Sequence, residues 1–572
     1  MGVLEISPFV LHGIKVDNAR DVLALLLKAF GGIVLVGVLK FFYHLHTTRM
    51  RVRRDAKEYG IPMLPHYYLF GHLPHLVKVF IKGGYPPDVN GQCVGYLLAK
   101  QYPDMAKEGI VYFDTWPIIK PIAWVVHPDM MSQCTQVHSL PKEDFVRREF
   151  HHMTEGQDLL TSDGPYWKQW RAIFNPGFAT KNLLSLVPTF FDEIRVFTDQ
   201  LRKQAETGEV GIFLDPVMNL TYDIIGRAVL DERLHCQTTA NRFKWAMNKQ
   251  TEWVIQDNSL STILKLLNPF RPLMTTYYNK VMTDSLLPSI NRAIKEHLTG
   301  ESANKPKTIN SLAIKSYLSQ AGIDRSDVSP DKVPRLDSSF TRGLINHIKM
   351  FMLAGHDTTA STLAFAFIEL ERNPHVLAKL RQEHDAVFGT DLSTVESQVS
   401  ESPHLLNALP YTLAVLKETL RLYAPVGSFR GGEKGFFLVH PETRKKYPTE
   451  GWAVFNVSWW SHRDPRWWPR AEEFLPERFL AKEGKELYVG KNLFRPFELG
   501  PRGCIGQELS LLEMKAILIM MVREMDISMA YGENDPEFLG CKGYQVMEPG
   551  QVAGRPRKGM PFRVRLVGDR KG

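Results

Sequence analysis

One apolar segment near the N-terminus constrains the fold of this chain more than any other feature. Residues 22–43 read VLALLLKAFGGIVLVGVLKFFY, about the length of roughly 20 residues that a helix needs to cross a bilayer. In hydrocarbon every backbone N–H and C=O must be paired within the segment, so it can only be helical there. Lys40 can extend its amine to the membrane surface, whereas Lys28 requires the span to begin near it and to continue through Leu45.

A basic cluster follows the apolar segment and sets its predicted orientation. The cluster consists of Arg49, Arg51, Arg53 and Arg54. Positive charge beside a span is retained on the cytosolic side, so we predict a short lumenal N-terminus over 1–21 and a single transmembrane anchor over 22–45. A cleaved signal peptide is the main alternative, but the segment is long, starts late and lacks a small-residue cleavage signal. A buried helix of a soluble protein is the second alternative.

The rest of the chain is predicted to form a hinge and one large domain. Residues 46–75 are basic and contain three prolines, which favours a semi-rigid hinge. Residues 76–572 are long enough for one large hydrophobic core. Their 260-residue middle part has mainly helical patterns, which prolines such as Pro188 and Pro288 are expected to interrupt.

Short extended runs flank this helical part. IVYFDTW (110–116) and KPIAWVV (120–126) predict a hairpin followed by a helix, and the C-terminal GMPFRVRLVG predicts short strands. We therefore predict a mainly α fold with a small β-rich part, preceded by a single N-terminal transmembrane helix.

Charge and cysteine content exclude several classes of protein. Lys and Arg number 70 and Asp and Glu number 62, a net charge of +8, which suits an anionic membrane surface or an acidic partner. The absence of a basic run interleaved with aromatic residues argues against nucleic acid as a partner. The five cysteines are scattered and form no CxxC pair, which argues against a disulfide framework and a structural zinc site.

Cys504 stands in the loop FELGPRGCIGQELS (497–510), directly before a strongly helical segment. The N-terminus of a helix presents unpaired N–H groups and a positive dipole end, which favour a thiolate over a thiol. A thiolate is a nucleophile or a metal ligand. A buried free cysteine is the alternative and would be the ordinary interpretation of an isolated cysteine.

The residues around Cys504 favour a metal ligand over a nucleophile or a buried free cysteine. Gly500 and Gly503 permit backbone conformations that are closed to other residues, and Gly506 lets a flat object lie close to the first helical turn. Arg502 offers a permanent cation to a carboxylate, and Phe497 offers an apolar wall beside the sulfur. A flat iron macrocycle that bears carboxylates, with the sulfur as axial ligand, meets all of these conditions.

A second polar motif interrupts an apolar helical pattern. FMLAGHDTTASTLAF (351–365) has Asp357, Thr358 and Thr359 directly after Gly355. Threonine hydroxyls can bond the carbonyl one turn back and locally widen the helix, giving a groove for O2 and water. We predict that Asp357 supplies protons there and that Thr358 orders them. A polar patch used only for helix packing is the alternative.

Two further pairs are individually weak signals. In KETLRLYAP, Glu418 and Arg421 lie three residues apart on a helix, and PERF supplies Arg478, so the three are predicted to form a buried network. In YWKQWR, Trp167 and Arg171 lie on one helix face, where both can donate to a carboxylate.

Along the chain the five motifs are WxxxR (167–171), AGxDTT (354–359), ExxR (418–421), PERF (476–479) and the cysteine loop (497–506). In their sequence and order they resemble the motifs of the cytochrome P450 family, heme-thiolate monooxygenases, and the resemblance covers nearly the whole chain. The resemblance implies the cytochrome P450 fold and heme b, with Cys504 as the iron ligand. It further implies that Arg502, Trp167 and Arg171 hold the heme propionates, with Arg430 as an additional contact, and that Asp357 and Thr358 deliver protons.

The resemblance also implies a reaction and partners. Electrons from NADPH, passed by a membrane-bound NADPH–cytochrome P450 reductase and alternatively by cytochrome b5, reduce O2, and one oxygen atom enters the substrate. A microsomal anchor implies the endoplasmic reticulum membrane, with the catalytic domain in the cytosol. The overall pattern resembles fungal enzymes of secondary metabolism. Apolar residues at predicted pocket positions, namely Phe351, Leu353, Val426 and Phe429, predict a lipophilic small-molecule substrate.

Two other function classes are also consistent with the sequence. A heme-thiolate isomerase or dehydratase would keep Cys504 without needing Asp357 and Thr358. A heme-binding sensor or electron carrier, which is not an enzyme, would need no substrate cavity.

Overall fold

The computed structural model of the chain describes residues 9–11, 14–16, 19–254, 260–301, 306–322, 337–547 and 551–569. Its helices are α1 (Ala19–Glu58), α2 (Leu73–Gly83), α3 (Val94–Gln101), α4 (Pro103–Ala106), α5 (Pro128–Ser132), α6 (Asp144–Thr154), α7 (Gly164–Phe174), α8 (Thr180–Thr207), α9 (Leu214–Leu230), α10 (Arg242–Thr251), α11 (Leu260–Leu267), α12 (Arg271–Thr299), α13 (Ile309–Gln320), α14 (Ser338–Arg372), α15 (Pro374–Phe388), α16 (Val395–Glu401), α17 (Pro410–Leu422), α18 (Ser458–Ser461) and α19 (Gln507–Met521).

The strands are short. They are β1 (Phe9–Leu11), β2 (Ile14–Val16), β3 (Ile110–Phe113), β4 (Ile122–Val125), β5 (Gly211–Ile212), β6 (Ser428–Gly431), β7 (Phe437–Val439), β8 (Lys446–Pro448), β9 (Ala453–Asn456), β10 (Met525–Met529), β11 (Gln545–Val546), β12 (Arg555–Pro556) and β13 (Pro561–Leu566). The main sheet has the order β3-β4-β9-β6, a second has the order β10-β13-β5, and the remaining strands pair two by two. The predicted mainly α fold with a small β-rich part is confirmed.

The N-terminal part of α1 carries its apolar side chains uncovered. Large apolar residues between Leu23 and Tyr43 are exposed, although the ring of Phe41 contacts that of Trp116 near the end of the span. Within the described residues α1 is the one helix long and apolar enough to cross a membrane. A buried helix of a soluble protein would be covered by its own domain, so this exposure favours membrane anchoring. The predicted lumenal segment 1–21 lies largely outside the described residues.

The predicted hinge, residues 46–75, includes residues that belong to helix α1 in the structure. Helix α1 continues without interruption from the apolar span to Glu58, because no proline occurs between Ala19 and Pro62. Residues 46–58 are therefore helical rather than part of a hinge. The connection that the prolines do shape is the short stretch from residue 59 to the start of α2.

The C-terminal end of α1 is fixed to the main domain. Arg49 is fully buried and forms an ion pair with Asp114, which also contacts the ring of His66 at 2.9 Å. One and a half turns later, Asp55 accepts a hydrogen bond of 3.0 Å from the indole of Trp452. The anchor thus leads into the domain through a buried polar joint rather than a free linker.

Two prolines lie inside helices instead of ending them. Pro188 is within α8 and Pro288 is within α12, so the prediction that they interrupt the helical stretches was wrong. A proline inside a helix removes one backbone hydrogen bond and costs about 3 kcal/mol. Phe190 and Ile290, each two residues beyond its proline, are fully buried in the main core, and such packing offsets that cost.

The sheet places one predicted site residue. The predicted hairpin is present as β3 and β4, paired antiparallel with Ile110 opposite Val125. Strand β9 follows parallel to β4, and β6 pairs antiparallel with β9 so that Arg430 lies opposite Val454. Arg430 is thereby held as the buried residue of a half-buried strand at the edge of the main sheet.

Replacing Arg49 tests the joint between anchor and domain. In Arg49→Met the buried carboxylate of Asp114 loses its cation, and breaking a buried pair typically costs about 3–5 kcal/mol. We expect a clearly lower apparent Tm for the membrane-reconstituted protein, measured by tryptophan fluorescence. Lys57→Met is the matched control, since Lys57 is an exposed cation on the same helix and exposed charges contribute at most about 1 kcal/mol. Equal Tm values for the two variants would contradict a structural role for the joint.

Candidate functional site

The loop from Phe497 to Gly506 presents the thiol of Cys504 at the start of α19. The backbone N–H of Cys504 donates to the carbonyl of Phe497 at 2.8 Å, which closes the loop. The backbone N–H groups of Gly506 and Gln507 hydrogen-bond the sulfur. The sulfur therefore lies at a helix N-terminus, where a negative charge is stabilised.

The thiol of Cys504 lies deep in the protein, yet none of the described side chains covers it. Burial raises the pKa of the Cys504 thiol, while the two N–H groups and Arg171 act in the opposite direction. The side chain is nevertheless not covered by other residues, whereas the four other cysteines are buried. Both observations hold when the sulfur lies deep in the protein and faces an internal cavity.

Helix α14 presents a second uncovered surface inside the protein. Ala354 is exposed and Thr358, one turn later, is half-buried, although Leu353, His356 and Thr359 are buried. Residues four apart lie on one helix face. Because α14 also packs against α19, which begins beside Cys504, we infer that this face and the sulfur border the same cavity.

Several cations lie close to Arg502 of this loop without matching anions. Arg430 is fully buried and none of its three guanidinium nitrogens has a hydrogen-bond partner in the described part of the chain. Burial lowers the pKa of Arg430. Burial, and then the charges of Arg430 and Arg502, lower the pKa of Lys142 well below its usual value. Asp163 and Glu498 are the nearby carboxylates, and Glu498 already bonds Arg495 at 2.7 Å.

Arg502 and Arg171 connect the loop to α7. Arg502 donates to a carboxylate oxygen of Asp163 at 2.6 Å, and its guanidinium carbon lies 4.6 Å from the ring centre of Trp167. Burial lowers the pKa of Arg502 to about 10, and its Nε has no partner among the described residues. Arg171 donates to the carbonyl of Gly503 at 3.0 Å. The structure thus brings together Trp167, Arg171 and Arg502 as the sequence predicts.

These features fit a flat, acidic, metal-holding group. The uncovered sulfur offers a ligand, and the unpaired guanidinium of Arg430 requires an anion, since an unpaired buried charge is costly. A side-chain carbon added at Gly506 would lie 3.9 Å from the sulfur and meet nothing else, so this turn is open. Gly500 has another role: its φ is +92° and an added carbon would lie 2.3 Å from the carbonyl oxygen of Thr135, so glycine is needed for packing.

The two residues predicted to handle protons are arranged differently. The hydroxyl of Thr358 donates to the carbonyl of Ala354 at 2.9 Å, on the cavity side of α14. The carboxylate of Asp357 is buried and accepts hydrogen bonds from Arg555 at 2.8 Å and from the backbone of Ala553 at 3.1 Å. Asp357 is therefore bound to the C-terminal strand β12, and its part in proton delivery stays a prediction.

Glu418, Arg421 and Arg478 form one buried network. Both carboxylate oxygens of Glu418 accept from Arg421, at 2.7 and 2.8 Å, and Arg478 donates to the same group at 3.1 Å. Arg421 also donates to the carbonyls of His462 and Ala471, both at 2.7 Å. The network ties α17 to the irregular segment that leads to Cys504.

Part of the predicted pocket wall lies elsewhere. Phe351 packs in the core, with ring centres 4.8 Å from Phe174 and 5.2 Å from Phe178, and Leu353 is buried as well. Their prediction as pocket residues was wrong, because the helix turns Ala354 and Thr358 rather than these two toward the cavity. Phe429 stacks on Phe455 and, like Val426, stays half-buried.

The sequence does not predict that Lys142 and Asp163 lie at the site. Asp163 precedes α7 as its N-cap residue, so the stretch S-D-G-P before a helix carried a capping signal. Lys142 has no comparable signal, since it reaches the site only through the bridge between its backbone and that of Arg430.

The chain is similar to known proteins over most of its length. A family model described as Cytochrome P450 matches residues 97–550. The chain is 35% identical to the cytochrome P450 monooxygenase polC of Polytolypa hystricis, over 97% of this chain and 99% of that relative. It is 28% identical to the cytochrome P450 monooxygenase acrF of Aspergillus aculeatus, over 84% and 98% of the two chains. Among solved structures, the heme domain of cytochrome P450DA has a TM-score of 0.62 at 18% identity, covering 88% of this chain and 97% of that one.

Replacing Glu418 tests the buried network. Glu418→Gln leaves Arg421 and Arg478 buried without a negative charge, and we expect a loss of about 3–5 kcal/mol of stability. The measurement is urea unfolding followed by tryptophan fluorescence. Glu473→Gln is the control, since Glu473 forms an exposed pair with Arg470 that contributes at most about 1 kcal/mol. Similar unfolding midpoints for both variants would show that the network does not stabilise the domain.

Replacing Arg430 should affect the heme-free and the heme-loaded protein in opposite ways. In Arg430→Met the cofactor-free protein loses an unpaired buried charge, so its stability should rise by about 1–3 kcal/mol. The loaded protein should instead release heme about tenfold faster, measured by transfer to apomyoglobin, because a charge-assisted hydrogen bond is lost. The exposed Arg563 gives the control variant Arg563→Met. An unchanged release rate would contradict a contact between Arg430 and the cofactor.

Proposed function

Since this chain belongs to the cytochrome P450 family and is a monooxygenase of it, we propose that it hydroxylates or epoxidises a lipophilic small molecule in secondary-metabolite biosynthesis. The assignment to secondary metabolism rests on the overall resemblance to fungal enzymes of that kind, and fungal monooxygenases are among its relatives. A lipophilic substrate is supported by the membrane anchor and by half-buried apolar residues such as Phe429.

The cofactor of the family is heme, bound by a cysteine thiolate. Our assignment of Cys504 as that ligand rests on one observation: it is the cysteine whose side chain is uncovered, while Cys93, Cys134, Cys236 and Cys541 are buried. When bound, thiolate-ligated heme supplies the reduction of O2 and the insertion of oxygen.

The chain's own residues hold the group in place. In this proposal Arg430, Arg502, Arg171 and Trp167 bind its carboxylates, and Arg430 contributes most because none of its donors has a partner among the described residues. Phe497 shields the sulfur from one side, and Gly506 leaves room beside it. Arg502 is already paired with Asp163, so its contribution to cofactor affinity is smaller.

Protons reach the cavity along α14 in this proposal. The Thr358 hydroxyl donates to Ala354, which leaves its oxygen lone pairs free to hold a water molecule in the cavity. Asp357 is buried, but its partner Arg555 is one-fifth exposed, which connects the carboxylate to the surface. Thr358 positions the water, and the pair Asp357–Arg555 exchanges protons with solvent.

The redox partner and location follow from the anchor. Members of this family receive electrons from a reductase, and we assign the membrane-bound NADPH–cytochrome P450 reductase, with cytochrome b5 as a second donor. The endoplasmic reticulum membrane, crossed once with the catalytic domain in the cytosol, is supported by the uncovered span of α1 and by the arginines at its C-terminal end.

Reconstitution tests the proposal. The full-length protein is co-expressed with a reductase and fed apolar metabolites, and mass spectrometry measures products that gain one oxygen atom, together with NADPH consumed. Thr358→Ala should lower the product formed per NADPH by at least about tenfold, as loss of proton-transfer catalysis typically does. Thr362→Ala is the control, because Thr362 is buried one turn later. Product formed without NADPH or O2 would instead support an isomerase or dehydratase.

A further inference from the structure

A second cleft lies between α12 and the first three turns of α14. It encloses about 760 Å³, within the range of roughly 300–1,000 Å³ that small-molecule sites occupy. Helix α14 lines it with residues that recur every three or four positions, Thr341, Ile345 and Lys349 among them, and α12 contributes Thr283 and Ile290. Such spacing puts the α14 residues on one face of the helix.

This cleft is separate from the cavity beside Cys504. The nine residues from Lys349 to Thr358 rotate an α-helix by about 900°, so the two side chains lie on opposite faces of α14. Ala354 is about 140° away from Lys349 by the same geometry. A molecule bound in the cleft would therefore not occupy the catalytic cavity.

Lys349 is the chemical centre of the cleft. Only 1% of it is exposed, and its Nζ donates to Asn279 at 2.5 Å and to Thr283 at 3.0 Å. Both partners are neutral, and an ammonium has three hydrogens to donate. No carboxylate in the described part of the chain lies within ion-pair distance of Lys349. Burial accordingly lowers the pKa of Lys349 to about 8, and the more distant Glu155 opposes this shift.

A donor close to Lys349 lacks a partner among the described residues. Asn346 lies one turn before Lys349 on the same face and is 2% exposed, and its side-chain nitrogen has no hydrogen-bond partner among the described residues. Unpaired buried donors cost free energy. The unpaired amide of Asn346 and the buried ammonium of Lys349, which has one hydrogen more than its two neutral partners accept, line the same cleft and indicate an anionic oxygen as the missing acceptor.

The remaining walls indicate the rest of the ligand. Leu287, Ile290, Ile294 and Ile345 line the cleft, which suits an apolar chain. At the mouth, Arg342 and Glu155 approach each other to 3.9 Å. The charges of Arg342 and Glu155 offset each other, so the net charge of the cleft is that of Lys349, and a head group with one negative charge matches it best.

We propose that the cleft between α12 and α14 binds an amphiphilic monocarboxylate, whose carboxylate accepts hydrogen bonds from Lys349 and Asn346 and whose apolar chain packs against the isoleucines. The site does not depend on the proposed monooxygenation, because it lies on the other side of α14.

Calorimetry with decanoate tests the site. The full-length, heme-loaded protein in nanodiscs is titrated with decanoate, and empty nanodiscs are subtracted. Lys349→Met keeps the length of the side chain but removes the charge, so decanoate should bind at least about tenfold more weakly. Asn346→Leu removes an uncharged hydrogen-bond donor and should weaken decanoate binding about threefold or more. Both variants should keep the heme content of the unmodified protein, which shows that they fold.

Two controls make the result specific. Lys295→Met removes an exposed lysine of α12 and should leave decanoate binding unchanged. Decanol has the same chain without the charge, so its affinity should not respond to Lys349→Met. Unmodified protein that does not bind decanoate, or a folded Lys349→Met protein that binds it as tightly as the unmodified one, would overturn the proposal.

Discussion

The fold around the candidate heme site depends on the carboxylate of Glu418, which contacts two buried guanidinium groups at once. Through Arg421 it reaches the carbonyls of the segment after α18, and through Arg478 it reaches the short turn that precedes the loop of Cys504. Much of that segment is irregular, so it has few backbone ladders of its own to fix its path. A buried charged network with satisfied hydrogen bonds supplies the rigidity instead.

The opposite arrangement prevails at the sulfur. There Arg430 is buried without a hydrogen-bond partner among the described residues, and the thiol is uncovered. A protein that folds without a cofactor would not gain from such an imbalance, since unpaired buried charge is destabilising. The two neighbouring regions therefore have different purposes: one is complete by itself, and the other becomes complete when an acidic, metal-holding group binds.

Helix α14 connects these regions with a third. Its middle presents Ala354 and Thr358 to the catalytic cavity, whereas its first turns present Lys349 and Asn346 to the cleft against α12. A helix can serve two sites because successive turns bring different residues to opposite faces. Asp357 adds a connection to β12 through Arg555, so the C-terminal strands also help to position the helix.

Local patterns in the sequence determined the elements and most of the site. The apolar span, the hairpin at β3 and β4, the helix after Cys504 and the pairs Trp167/Arg171 and Glu418/Arg421 depend on spacing along the chain, which is legible without a structure. Only the tertiary structure decided that α1 runs to Glu58, that α8 and α12 continue through their prolines, and that Phe351 faces the core. It also decided that Lys142 lies beside Arg430, Asp163 beside Arg502 and Lys349 beside Asn279. The reason is physical: those outcomes depend on contacts between residues far apart in sequence, and such contacts can outweigh local preference.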